Sequence, residues 1–178
     1  MILTGNKIID EVNKKRIVID PFEVDNVDPN SYSFRINDEI IEYDLGENGY
    51  IDVRQNINYK KYKIPKEGFV LEPNKFYLGS TFEKMGSNYY AKTLLANLST
   101  SSMGMWIQFS APLGHVGAII NWTLEIKVAQ KVKIYPFMKI GKLAFWDVLG
   151  DTNLYKGKYI GSQSVVHSRI IEDFKEKV

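Results

Sequence analysis

Cysteine is absent from the 178 residues. That excludes disulfides, thiolate zinc sites, iron–sulfur clusters and a cysteine nucleophile. Histidine occurs only twice, at His115 and His167, too few for a histidine-rich metal centre. An excess of either charge is missing too: 23 Lys plus Arg face 21 Asp plus Glu, a net charge of +2. So weak a field points to neither nucleic acid nor an anionic membrane as a direct partner. No arginine lies between Arg54 and Arg169, and no charged residue between Thr93 and Leu124. That uncharged run is interrupted by Ser, Asn, Gly and Pro, so it does not read as a membrane span. Met1 to Lys7 carries neither a long apolar run nor a small-residue cleavage site, and the expected setting is cytoplasmic. The phosphate-cradling glycine loops are missing, as is a Gly-x-Ser-x-Gly nucleophile elbow. Any chemistry must use carboxylates, hydroxyls, amides or histidine.

What is present suits one globular domain spanning residues 1–178, with 44% hydrophobic and 25% charged residues. Thr4 can cap a short opening helix in which Ile8, Ile9 and Val12 form an apolar stripe. Lys14-Lys15-Arg16 then falls where cations suit the helix dipole. Beyond it the period shortens to two. Tyr32, Phe34 and Ile36 alternate with Ser33 and Arg35; Trp122, Leu124, Ile126 and Val128 alternate with Thr123, Glu125 and Lys127. Further short runs, such as Phe69-Val70-Leu71 and Leu143-Ala144-Phe145, are separated by Gly, Pro and Asn. This pattern predicts a sandwich, jelly roll or barrel, and 13% aromatic residues suit pleated surfaces. Residues 44–63 read as a charged excursion from the core. Residues 155–178 read as a mobile C-terminal arm with Gly157 and Gly161 near its start.

The ordered set of local sequences resembles the dCTP deaminase branch of the dUTPase-like superfamily. The segments that carry the resemblance are Ile17-Val18-Ile19-Asp20-Pro21-Phe22, Val27 to Ile36, Phe69-Val70-Leu71-Glu72-Pro73, Phe76 to Lys84, Trp122-Thr123-Leu124-Glu125-Ile126, Ile134 to Leu143, and Tyr155-Lys156-Gly157-Lys158-Tyr159 with Ser168-Arg169-Ile170. They span almost the whole chain. The resemblance implies a distorted jelly-roll, or β-clip, dUTPase-like fold that is mainly β with a short N-terminal helix. It implies a homotrimer with sites between subunits and an arm that folds over the nucleotide. It also implies metal-free hydrolysis of the exocyclic amine of a deoxynucleoside triphosphate, dCTP, to give dUTP. Magnesium would accompany the triphosphate without being the catalyst. No metal-ligating residue and no resident cofactor is expected.

Within that resemblance Glu125 is the expected general acid and base, a role that burial in apolar surroundings would favour. From its pattern alone it is a solvent-facing glutamate between Thr123 and Lys127. Ser99 would help place the water and Thr100 a phosphate oxygen, although Ser99-Thr100-Ser101-Ser102 also reads as a polar turn. His115, Gly117, Tyr155, Lys158 and Gly161 complete the expected nucleotide-binding set. His115 in Gly114-His115-Val116-Gly117 could equally be a structural histidine in a tight turn. His167 reads as a surface or anchoring residue, and Trp106, Trp122 and Trp146 as core or interface residues.

Several residues depart from the family pattern. Leu98 stands where the family has an arginine, and a second arginine has no counterpart near Ser102-Met103. His115 replaces an aspartate, Ala118 an aromatic residue, and Ile160 and Ser162 two glutamines. Each lost charged phosphate contact costs about 1.5–3 kcal/mol. Lys92, Lys127, Lys139, Lys142, Lys156 and Lys158 are candidate replacements, with Lys142 and Lys158 expected nearest the site. The alternative is therefore a catalytically degenerate trimeric homologue with a binding, regulatory or structural role. A dUTP pyrophosphatase fits less well, because its aspartate would fall at His115.

Overall fold

The computed structural model describes residues 1–175. The expected helix is there: α1 (Gly5–Asn13) begins at Thr4, whose hydroxyl accepts from the Lys7 amide. Ile8 is its fully buried apolar anchor. The basic run does more than complement a dipole, because Arg16 and Lys14 join Lys7 around the buried Glu11 carboxylate. Burial alone would push the Glu11 carboxyl up. Hydrogen bonds from Lys7 and Tyr90, with the Arg16 charge, hold it below its ordinary value.

Twelve strands follow among the described residues. They are β1 (Ile17–Asp20), β2 (Val27–Asp28), β3 (Ser31–Tyr43), β4 (Tyr59–Lys63), β5 (Phe69–Leu71), β6 (Tyr77–Ser87), β7 (Ala91–Ala96), β8 (Met105–Trp106), β9 (Leu113–Gly114), β10 (Ile119–Val128), β11 (Val132–Ile134) and β12 (Lys139–Trp146). Ten form one curled antiparallel sheet along the path β8-β10-β6-β3-β12-β7-β9, with β1 on β6 and β2 and β4 on β3. The other two, β5 and β11, pair with each other. The mainly β architecture with a short N-terminal helix is the expected one. The long strand β3 curls the sheet: Tyr32–Arg35 pair with β12, whereas Ile36–Glu42 pair with β6 after a register shift. Tyr32, Phe34, Ile36 and Ile40 from β3 enter the core with Tyr77, Leu124, Ile126, Leu143 and Phe145.

The N-terminus is tied to the other end of the sheet. The Leu3 amide donates to the Phe145 carbonyl at 2.9 Å, and Ile2 bridges to Trp146. Part of the 44–63 excursion is a strand: β4 runs beside β3, and Lys60, Lys61 and Lys63 pair with Asp44, Glu39 and Asp38. Residues 98–102 are not a plain polar turn. They form a second short helix, α2 (Leu98–Ser102), because the Asn97 side chain accepts from the Thr100 amide and supplies the cap that composition alone did not reveal. Trp106 and Trp146 are exposed rather than core residues. No helix among the described residues is long and apolar enough to cross a membrane.

Strands β6 and β10 approach closely at Gly86. A Cβ there would meet the Ala118 carbonyl oxygen and lie 2.6 Å from the Ile119 Cα. Both obstacles are backbone, so Gly86→Ala is expected to cost about 1–3 kcal/mol and register as a lower urea midpoint. A wild-type midpoint would mean that the two strands can part without penalty.

Candidate active site

Strand β10 carries the centre of the site. Leu124 and Ile126 are buried in the core, so the alternation sends Glu125 to the opposite face, where it is half-buried. The segment after β8 wraps this carboxylate. Backbone amides of Phe109 and Ser110 donate to Glu125 Oε2 at 2.8 and 3.1 Å, and the Glu125 amide donates to the Ile107 carbonyl at 3.0 Å. Oε1 accepts from no donor among the described residues. The two carboxylate oxygens are therefore held differently.

Glu125 lines a cleft of about 490 Å³. Phe76, Leu78, Leu113, Ala118, Ile120 and Trp122 supply apolar walls; Tyr43, Thr123, Ser162 and Ser168 supply hydroxyls. A register shift between Asn121 and Thr123 breaks the alternation of β10. Trp122 and Thr123, adjacent in sequence, thus both border the cleft. The Trp122 indole N–H is held by the Met85 carbonyl at 2.9 Å.

His115 and Tyr155 form one wall, their rings 5.5 Å apart and 12° from parallel. Gly117 sits behind them with φ +91°, and a Cβ there would lie 2.7 Å from the Tyr155 nitrogen. The turn therefore needs glycine on two counts. Between Tyr155 and Ser168 the chain supplies six of the cleft's lining residues. The Val166 amide donates to Thr123 Oγ1 (3.3 Å) and the Ser168 amide to the Tyr43 hydroxyl (2.9 Å), while the Asn121 amide donates to the Ser162 carbonyl (3.0 Å). His167 stacks on Tyr59 at 4.8 Å and borders the same cleft, so it is more than a surface residue. The last three residues of the arm, 176–178, fall outside the described ones.

The structure thus brings together Glu125, His115 and Tyr155, with Gly117 shaping the wall. It does not bring the others to the cleft of the same chain. Ser99 is exposed on α2, and Thr100, although buried, has its amide held by Asn97; neither borders the cleft. Lys158 Nζ is bound to Asp173 at 2.6 Å, which raises its pKa. Gly161 has φ +77° with open space around it. Lys142, expected nearby, pairs with Asp28, and none of the candidate replacement lysines lines the cleft. Sequence reasoning did not pick out Tyr43, Phe76, Thr123 or Tyr159 as cleft residues. Thr123 was recoverable, since it lies two residues from Glu125 on one face of a strand. The others depend on tertiary placement.

A model of the family described as dCTP deaminase-like matches residues 2–148. The chain belongs to the dCTP deaminase-like family. Among this family's relatives, the "dCTP deaminase, dUMP-forming" of Clostridium beijerinckii is 34% identical over 177 residues, 99% of this chain and 100% of that protein. The protein of the same description from Clostridium acetobutylicum is 37% identical over 175 residues, 98% of this chain and 99% of its own. The dCTP deaminase of Rhodopirellula baltica is 35% identical over 152 residues, 85% of this chain and 75% of its own. A crystal structure of 2'-deoxycytidine 5'-triphosphate deaminase from Agrobacterium tumefaciens superposes with a TM-score of 0.63 at 14% identity, covering 81% of this chain. The dCTP deaminase-like chain spans 47% of that solved one, and at this identity the likeness concerns the fold, which is the dUTPase-like one expected.

Proposed function

We propose that the protein hydrolytically deaminates dCTP, or a closely related deoxycytidine nucleotide, with Glu125 as general acid and base. The observation that carries this is the divided Glu125 carboxylate lining the cleft: Oε2 accepts from two backbone amides and Oε1 from no donor among the described residues. Glu125 takes one proton from the attacking water as its oxygen adds to C4 and passes it to ring N3; it then carries the remaining hydroxyl proton to the amine, so the C4–N bond breaks, ammonia leaves and the C4 carbonyl forms. Deamination alone yields dUTP. The relatives that match over their full length are named dUMP-forming. We therefore take dUMP as the final product, formed when a second water releases pyrophosphate. Magnesium would arrive on the phosphate oxygens; no group of three or more His, Asp and Glu among the described residues forms a protein cage for it. The setting would be cytoplasmic.

A homotrimer belongs to the same proposal. Leu95, Leu98 and Trp106 are 54%, 81% and 47% exposed around α2, an apolar surface suited to a second copy. Such packing would let Ser99 and Thr100 act on a neighbour's cleft. The degenerate alternative is favoured by one observation: no Lys or Arg among the described residues lines the cleft, and Lys158 and Arg169 are paired with Asp173 and Glu172.

Incubation with dCTP and magnesium, with ammonia and nucleotides separated on an anion-exchange column, decides between them. Ammonia with dUMP and pyrophosphate is the expected result, from a particle three times the 20.5 kDa chain mass by light scattering. Ammonia with dUTP would keep the deaminase and remove the second hydrolysis. No ammonia and no nucleotide binding by calorimetry would leave the degenerate homologue.

A further inference from the structure

Lys92 on β7 is fully buried, 0% exposed, and forms no ion pair among the described residues. A charge placed this way normally destabilises a fold. We propose that Lys92 is a positioning residue for the cleft: its ammonium group is an internal cation that ties the His115–Ala118 turn to the end of β6 and so sets the place of Tyr155.

The contacts run in one chain. Lys92 Nζ donates to the backbone carbonyls of His115 (2.6 Å), Ala118 (3.1 Å) and Ser87 (3.5 Å). The Gly117 amide donates to the same Ser87 carbonyl at 2.8 Å, and the Ala118 amide to the His115 carbonyl at 3.1 Å. The turn in turn holds the arm: the Tyr155 amide donates to the Val116 carbonyl at 2.8 Å, and the Tyr155 ring lies on His115. On its other side the ammonium faces the Trp122 indole at 5.6 Å, and Trp122 borders the cleft. Lys92 therefore touches three structures that shape the cleft without entering it.

Its neighbours leave few competing charges. β12 offers Phe145 and β9 offers Gly114 as register partners; β6 offers Ser87 and β10 offers Trp122. His115 meets the ammonium group through its backbone carbonyl, and its ring lies on Tyr155. Burial pushes the Lys92 pKa down to about 8. Because the folded value is below the ordinary one, the unfolded chain binds more protons between about pH 8 and 10.5. Stability from this group thus rises with pH over that window. The turn meanwhile loses its cation. Global stability and order of the turn move in opposite directions, which a lysine that merely filled space would not produce.

The link from the turn to nucleotide affinity rests on the deaminase reading above; the link from Lys92 to the turn does not. The test compares wild type and Lys92→Met at pH 7 and 9.5, by amide exchange corrected for intrinsic rates and by calorimetry with dCTP and magnesium. In Lys92→Met, melting is expected at or above the wild-type temperature, with exchange at Gly117 and Ala118 at least tenfold faster and dCTP affinity at least tenfold weaker at pH 7. Wild type at pH 9.5 should approach the variant. Lower melting with unchanged exchange would reduce Lys92 to packing and overturn the proposal. So would wild-type exchange at the turn that stays flat across the pH range, a measurement that stands if the variant does not fold. Should wild type bind no dCTP, the deaminase reading fails while the exchange data still decide the role of Lys92.

Discussion

Glu125→Gln is expected to lower the rate of ammonia release by about 10²–10⁴-fold, the usual contribution of a positioned general acid and base. The substitution is nearly isosteric. A glutamine oxygen can still accept from the Phe109 and Ser110 amides that hold Oε2, so the surrounding loop keeps its path. Under the proposed mechanism, what disappears is the capacity to take protons from water and pass them to the base. Melting temperature and nucleotide affinity should therefore remain close to wild type while kcat collapses. Single-turnover kinetics under saturating dCTP separate these outcomes. A variant that deaminates at the wild-type rate would remove Glu125 from the chemistry, whatever else the cleft binds. A variant that loses affinity instead would make Glu125 a substrate-orienting residue.

The largest loss of stability is expected from Arg35→Met. Glu83 on β6 is 0% exposed, and its carboxylate accepts from the Arg35 backbone amide at 2.9 Å and from Arg35 Nε at 2.7 Å. Arg35 also reaches Glu23 at 2.8 Å and lies over the Phe82 ring. Methionine replaces the length of the side chain and none of its charge, so Glu83 stays buried without its cation. Breaking one partner of a buried pair costs about 3–5 kcal/mol. For a chain of this size that corresponds to roughly 6–20 °C in melting temperature. The double variant Arg35→Met/Glu83→Leu should recover much of the loss, because the unpaired charge is gone. Calorimetric melting of the three proteins tests this; a single variant within about 1 kcal/mol of wild type would mean that Glu83 finds water or another donor.

Most of the framework was legible in the residues. Period-two alternation located β3 and β10, and Thr4 with its apolar stripe located α1. These are signals that each strand or helix carries alone. Glu125 was harder. Its pattern matched any solvent-facing glutamate, and only the family likeness of Trp122 to Ile126 singled it out. Beyond the wall of His115 and Tyr155, the cleft lining was not legible, because Tyr43, Phe76 and Tyr159 come from segments far apart in sequence that meet only after the sheet curls. Lys158 was suggested as a nucleotide contact by the likeness of its segment to the family's tail; in the structure its ammonium group is paired with Asp173, a contact between side chains fifteen residues apart that the local pattern does not show. Lys92 was noted as a substitute phosphate contact, whereas burial directs it inward to backbone carbonyls.

The bond between Leu3 and Phe145, with the pairing of β3 onto β12, has a consequence for how the protein is made. A ribosome adding roughly 5–20 residues per second takes about 7–30 s to travel from the first partner to the second. Throughout that interval the opening residues have nothing to dock against, and from the synthesis of Arg35 onward the Tyr32–Arg35 part of the long central strand has an unsatisfied edge toward β12. Sequence-distant pairings of this kind also slow folding once synthesis ends. The nascent chain is therefore most vulnerable before β12 emerges, and a chain stopped short of residue 146 would present open strands to its neighbours.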